Sequence, residues 1–167
     1  MTTARRLRSY DYVNQPVAPV LAALTRAGTS IFARATNGAA EREQALAVQL
    51  RVKLGMLDLA TDVNVALGAV EGPTASASGY EVTAFPLSWQ SAARPSLFPH
   101  MQAKLLVYAL SSSETQLELE GSYDPPLGLL GDAIDAVVGH RIAEACVLHF
   151  LQDVAAQLRA ELARGHD

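Results

Sequence analysis

The segment Tyr123-Asp-Pro-Pro-Leu-Gly-Leu-Leu-Gly131 divides the sequence into two parts of different character. Two adjacent prolines fix the backbone angle φ and disfavour a helix at Asp124 and Pro125, so a strand that arrives here must leave extended. From Leu127 to Leu162 there is no proline, which predicts one helix of up to ~36 residues, or ~54 Å. Because this exceeds the length of a typical globular helix, it must lie across the whole domain.

Before this segment, apolar and polar residues alternate in the manner of β-strands. The pattern predicts five antiparallel strands, from Leu46 to Leu54, Asp62 to Val70, Tyr80 to Trp89, Met101 to Leu110 and Glu114 to Tyr123. The stretch from Gly72 to Gly79 is a loop by composition, and Pro86 predicts a kink or bulge in the strand that contains it. Six polar residues alternate with apolar ones and are expected to face solvent: Gln49, Arg51, Lys53, Gln116, Glu118 and Glu120.

The N-terminal region has a different period. Arg5 to Asn14 suits a short edge strand that proline stops. Helical spacing of apolar residues follows from Val17 to Leu24, and Gly28-Thr29-Ser30 and Asn37-Gly38 supply turn chemistry. We therefore expect two short helices after the first strand.

Together these elements predict an α+β fold. One strand, two short helices, a run of hairpin-connected strands and one long helix form an antiparallel sheet of about six or seven strands against a C-terminal helix.

This order resembles the START-like superfamily, also described as SRPBCC, helix-grip or polyketide cyclase-like. The resemblance is carried by Leu87-Ser-Trp-Gln, Leu97-Phe-Pro-His-Met101, Thr115-Gln-Leu-Glu-Leu-Glu-Gly121 and the segment from Tyr123 to Gly131 that leads into His140-Arg-Ile-Ala143. It implies a single domain over residues 1–167, a curved sheet wrapped around the C-terminal helix, and a cavity between them for a hydrophobic ligand.

Composition excludes several classes of protein. The 167 residues are 50% hydrophobic and 18% charged, which indicates a globular chain. A net charge of −4 is the wrong sign for a nucleic-acid-binding protein. No stretch is apolar enough for a transmembrane helix, and Asp11 with two prolines interrupts the one segment that resembles a signal peptide, so the sequence favours a cytoplasmic protein.

The sequence predicts no metal site and no cofactor. His140 and His149 are nine residues apart on one predicted helix and point in opposite directions. His100 and His166 lie in a predicted loop and a tail. The single cysteine, Cys146, excludes an internal disulfide and is expected to be a small buried side chain.

The candidate ligand-binding residues come from the predicted C-terminal helix. Its predicted apolar side contains Leu130, Ile134, Val137, Val138, Ile142, Ala145, Leu148, Ala155 and Leu162. Arg141, His149 and Gln152 fall inside that side. In one interpretation they are structural, with Arg141 paired to Glu144 and His149 to Asp153.

In the other interpretation, these polar residues line a cavity and orient the polar end of a ligand. Ala145 would leave room there. The candidate walls are Trp89, Phe98, Met101, Tyr108 and Tyr123, although residues of these types are more often part of a plain core.

Three functions follow, of which the first is binding or transport of a small hydrophobic ligand, lipid or polyketide-like. The second is a cyclase or aromatase in which His149 or Tyr123 is the acid or base and Arg141 holds a carboxylate or enolate. The third is a protein-interaction domain with a filled cavity. The sequence leaves open whether the chain forms a homodimer.

Overall fold

The computed structural model describes residues 4–54, 63–91, 100–124 and 132–165. The elements are β1 (Arg5–Val13), α1 (Val17–Leu54), β2 (Val63–Leu67), β3 (Glu71–Ala75), β4 (Glu81–Ser91), β5 (His100–Ala109), β6 (Thr115–Asp124) and α2 (Asp132–Arg164). The architecture is α+β, as predicted.

The six strands form one antiparallel sheet in the order β1-β6-β5-β4-β2, and β3 also pairs with β4. The first strand therefore pairs with the last and lies at an edge, as its sequence predicted. Alternate side chains such as Leu7, Leu105 and Leu117 are buried against the helices. We call this side of the sheet the inner face and the opposite side the outer face.

The sequence predicted a kink or bulge at Pro86, but the pairing of β4 with β5 contains no bulge. The register between β4 and β5 is unbroken from Thr83 to Trp89. Pro86 lies where the other neighbour of β4 changes from β2 to β3, and its carbonyl accepts a 2.8 Å hydrogen bond from the Gly68 N–H. A missing N–H at that corner costs no ladder hydrogen bond.

The predicted loop between Gly72 and Gly79 is half strand. β3 covers its beginning and pairs with β4 through a register shift between Glu71 and Thr74, and a short turn at residues 76–80 completes the hairpin. Gly72 and Gly79 have φ of +99° and +82°, which is the conformation that glycine permits. The composition therefore indicated the turn correctly but did not show the strand.

The predictions of two short helices and of a strand from Leu46 to Leu54 were wrong, because one 38-residue helix occupies Val17–Leu54. Ala39 to Leu54 is rich in Ala, Glu, Gln, Arg, Lys and Leu, which favour a helix over the alternating strand pattern. Near the expected break, Ser30 Oγ donates to the Ala27 carbonyl at 3.0 Å within the helix. Gln49, Arg51 and Lys53 consequently lie on α1 and not on the sheet.

The long C-terminal helix is confirmed over Asp132–Arg164. Its predicted beginning at Leu127, and the prolines before it, lie outside the described residues. The buried side chains of α2 are Ala143, Val147, Phe150, Leu151, Val154, Ala155, Leu158 and Leu162. The predicted apolar side was rotated from this one, since Leu148 is 41% exposed. The prediction gave the wrong rotation because it left out Phe150, which belongs to a series of apolar residues spaced three and four positions apart along the helix.

Three phenylalanines join both helices to the sheet. The Phe32 ring of α1 lies 6.3 Å from the Phe150 ring of α2 in a stacked pair and 6.4 Å from the Phe85 ring of β4 in an edge-to-face pair. All three are buried. Within the described residues, no helix is long and apolar enough to cross a membrane.

Candidate functional site

A groove of about 410 Å³ lies between the first half of α1 and the sheet edge formed by β2 and β4. We call it the α1–β2 groove. It is lined by Leu24, Thr25, Arg26, Ala27, Gly28, Thr29, Ser30 and Phe32 from the helix, and by Leu67, Gly68, Val70 and Phe85 from the sheet side.

The base of the groove is apolar and aromatic. Leu24, Phe32 and Phe85 are almost wholly buried, whereas Leu67 and Val70 keep large apolar surfaces exposed at the sheet side. Gly28 has no side chain, and a Cβ placed there would meet only the Phe32 ring, at 3.6 Å. The absent side chain leaves space beside an aromatic wall.

The polar residues of the groove are exposed and lie at its mouth. Thr25 Oγ1 donates to the Leu21 carbonyl at 2.8 Å, and Arg26 forms a 3.0 Å ion pair with Glu161 of α2. Ser30 is likewise bonded within the helix. The groove is thus built to hold an apolar body near a rim of satisfied polar groups, and it presents no acid–base pair among the described residues.

Two of the predicted wall residues lie in the core. Met101 and Tyr123 are each 1% exposed on the inner face. Phe98 lies outside the described residues, as do the side chains of Trp89 and Arg141. Tyr108 lies on the outer face, since its neighbour Val107 is buried on the inner face.

None of the candidate residues of α2 whose side chains are described lies in the core. His149 and Ala145 are half-buried, and Gln152 is exposed, so the expectation that Gln152 faces the sheet was wrong. All three follow from the rotation of the helix relative to its predicted apolar side. The position predicted for a ligand beside α2 is separate from the α1–β2 groove, which none of the described residues among the predicted site residues lines.

Tyr123 is poorly suited to act as a base. Burial raises the pKa of its phenol, although Arg5 donates a hydrogen bond that acts in the opposite direction. A phenol with a raised pKa keeps its proton at neutral pH.

A carboxylate is buried on the outer face, where the sequence predicted an exposed one. Glu118 is 3% exposed, accepts a hydrogen bond from Tyr108 Oη at 2.9 Å and forms an ion pair with Arg8. The Tyr80 ring packs 5.0 Å from the Tyr108 ring. Burial and the bond to Glu118 raise the pKa of Tyr108 to about 12.

Glu120 and Gln116 are the other two residues of β6 that were expected to face solvent, and only one of them is exposed. Glu120 is exposed, as predicted, and Gln116 is half-buried. Alternation therefore identified the face correctly, but it could not show that tyrosine and arginine side chains from β5 and β1 cover Glu118.

The outer face also carries a broad depression of about 1020 Å³. Small or polar residues form much of it, including Ala66, Gly68, Ser88, Gln102 and Ser122. Its charges are largely paired, since Lys104 Nζ lies 2.6 Å from Glu71 and Arg8 Nε lies 3.2 Å from Glu120. Arg6 lines the same depression and forms no ion pair with any other described residue. No cluster of metal ligands occurs in the described part of the chain.

Comparison with known proteins gives structural neighbours only. No family model matches the sequence, and no curated protein matches it. The structure is similar to the Zhui aromatase/cyclase from Streptomyces sp. R1128, at 12% identity and a TM-score of 0.49, with 96% of each chain covered. It is also similar to Ara h 8.0201, at 9% identity and a TM-score of 0.40, over 95% of this chain and 99% of that one.

A third similar structure is a protein from Rhizobium leguminosarum, at 13% identity and a TM-score of 0.34, over 96% of this chain and 99% of that one. The element order and pairing of the present structure are themselves sufficient to assign the fold: the first strand beside the last in an open antiparallel sheet, and a long C-terminal helix on its inner face. The chain therefore has a helix-grip fold.

Proposed function

We propose that the protein binds a small hydrophobic molecule, lipid or polyketide-like, in the α1–β2 groove. The observation that carries this proposal is an apolar groove with the aromatic side chains of Phe32 and Phe85 at its base and exposed polar residues at its mouth. Its volume of about 410 Å³ is typical of small-molecule sites.

The groove suits a ligand with an apolar body and one polar end. The body would lie against Phe32 and Leu67, where burial of apolar surface supplies the binding free energy. The polar end would remain at the mouth near Thr29, whose exposed hydroxyl can donate or accept a hydrogen bond. A polar group placed there fixes orientation more than affinity.

The sequence placed the ligand elsewhere, between the sheet and α2 beside Arg141 and His149. We keep that position as a competing proposal because the two sites predict different mutants. A ligand beside α2 requires Arg141 for an anionic end, whereas a ligand in the α1–β2 groove is independent of it.

The test is a fluorescence titration with N-phenyl-1-naphthylamine, an uncharged apolar probe, and with its anionic analogue 8-anilinonaphthalene-1-sulfonate. Gly28→Leu fills the groove from the helix side and replaces a poor helix former by a good one, so α1 is not weakened. We expect both probes to bind this variant at least about tenfold more weakly, which corresponds to ~1.4 kcal/mol.

Ala22→Leu is the matched control, because it adds the same side chain at an exposed position of α1 outside the groove. It should bind both probes as the unmodified protein does. Equal binding by Gly28→Leu and the unmodified protein would refute the groove. If Arg141→Met weakens only the anionic probe while Gly28→Leu weakens neither, the ligand lies beside α2.

A further inference from the structure

One edge of β1 pairs with no other strand among the residues that the structure describes, and its backbone groups there point away from the sheet. In an antiparallel pair, alternate residues exchange both backbone hydrogen bonds with the partner strand, and the residues between them direct their groups to the other side. Within the described residues, β6 is the only strand that pairs with β1. The alternation therefore determines which residues of β1 could pair with a further strand.

Two observations fix that alternation. Tyr12 N–H donates to Asp11 Oδ1 at 2.7 Å, and the Tyr12 carbonyl accepts from Arg159 Nη2 at 2.7 Å, so both groups of Tyr12 are used away from β6. At the other end, a Cβ on Gly121 would lie 2.9 Å from Ala103 Cβ, which is the close approach of a pair that exchanges no hydrogen bonds. Gly121 thus bonds to its β1 partner Leu7.

Both observations give the same assignment. The odd-numbered residues of β1 bond to β6, and the even-numbered residues Arg6, Arg8 and Tyr10 direct their N–H and C=O groups outward. Asp11 and Arg159 occupy the outward groups of Tyr12, which ends the free stretch at that residue. A strand could be added only over the preceding residues.

The charge of the edge selects the occupant. Arg6 and Arg8 lie in the free stretch. Arg8 is paired with Glu118 and Glu120, whereas the exposed Arg6 has no ion pair with another described residue. A second copy of β1, paired antiparallel about Arg8, would place Tyr10 opposite Arg6 and so would bring no carboxylate to the one arginine of the stretch that lacks an ion pair among the described residues. An acidic strand would instead place carboxylates beside Arg6.

We propose that the edge of β1 binds an extended, acidic segment of another protein as an added strand of the sheet. Backbone hydrogen bonds to Arg6, Arg8 and Tyr10 hold the segment, as in other cases of strand addition. Its outward side chains adjoin the outer-face depression, where Arg6 accepts a carboxylate and the Tyr10 ring, 48% exposed, offers an apolar surface. This proposal is independent of the α1–β2 groove.

The first test is amide hydrogen exchange with and without a capped peptide of alternating valine and glutamate. In the free protein, the amides of Leu7 and Ser9 should exchange slowly, while those of Arg6, Arg8 and Tyr10 exchange rapidly. Addition of the peptide should slow the second set, and the amide of Tyr12 should not change. If the peptide binds and these three amides are not protected, the proposal is wrong.

The second test measures affinity by fluorescence anisotropy of the labelled peptide. Arg6→Glu reverses the free charge and should weaken binding at least about fivefold. Arg6→Pro should do the same, because it removes one outward N–H without altering a bond to β6. Arg34→Glu makes the same charge change at an exposed position of α1 and should leave the affinity unaltered.

Three outcomes would overturn the proposal. They are equal binding of an alternating valine and lysine peptide, no binding of the acidic peptide, and protection of the outward amides that rises with protein concentration alone. The last outcome would assign the edge to a second copy of this chain.

Discussion

Glu118 shows how neighbours on a sheet change the environment of a single residue. It lies on the outer face, yet Arg8 and Tyr108 cover it and bind its two carboxylate oxygens. Burying a carboxylate is costly unless it is paired and hydrogen-bonded, and both partners are present here. Arg8 itself is largely exposed and has a second acidic neighbour in Glu120, so the pair is a partly solvated one.

The Tyr108 hydroxyl gives the first prediction, on stability at high pH. Its pKa is 10.0 in an unfolded chain and about 12 in the folded protein. Between these values the unfolded chain releases a proton that the folded protein keeps. This stabilising contribution is therefore fully present below about pH 10 and is lost as the pH rises to about 12.

Urea unfolding at about pH 9 and about pH 11.5 tests this prediction. The unmodified protein should lose more stability between the two pH values than Tyr108→Phe, which has no hydroxyl to titrate. Tyr123 also has a raised pKa, but it is common to both proteins and cancels in the comparison. Identical losses in the two proteins would contradict the assignment.

Among the secondary-structure elements, the predicted bounds are most accurate where a single period of apolar residues dominates the sequence. The patterns of β1, β5 and β6 were predicted to within a residue or two of Arg5–Val13, His100–Ala109 and Thr115–Asp124. In each, alternation and a flanking turn point to the same structure. The second half of α1 was missed because Leu46 to Leu54 fits both a strand period and, through Leu46, Leu50 and Leu54, a helix period.

The corrected rotation of α2 gives the second prediction. Phe150 is fully buried, and Leu148, two residues earlier, is 41% exposed. Phe150→Ala should lower the free energy of unfolding by about 3–5 kcal/mol. Leu148→Ala should lower it by less than about 1 kcal/mol.

Chemical denaturation of the two variants measures this difference directly. The predicted apolar side of the helix, which contained Leu148 and not Phe150, requires the opposite order of effects. A larger loss for Leu148→Ala would restore that orientation of α2.

At the scale of the whole molecule, the fold class was accessible from the sequence and the candidate site was not. The element order and the length of α2 are properties of continuous segments, and the spacing of apolar residues within a segment indicates its secondary structure. The α1–β2 groove is formed by Gly28 and Phe32 on a helix together with Leu67 and Phe85 on strands far along the chain. No spacing in the sequence shows that these residues meet, and Gly28 by itself indicates only a helix break.

Phe32 gives the last prediction, because it belongs both to the core and to the groove. Its ring packs on Phe150 and Phe85, so it joins α1, α2 and β4, and one of its edges faces the space beside Gly28. Phe32→Ala should lower the free energy of unfolding by about 3–5 kcal/mol and leave an apolar cavity continuous with the groove. A dry apolar cavity of this kind binds small aromatic molecules.

We therefore expect benzene or indole to raise the melting temperature of Phe32→Ala more than that of the unmodified protein, because a ligand that binds only the folded state stabilises it. Phe150→Ala is the control, since it removes the same ring from a residue that does not line the groove. A cavity at position 32 opens through the groove and should fill rapidly on mixing. Equal responses of the two variants would contradict the prediction that the space left by Phe32 opens into the groove.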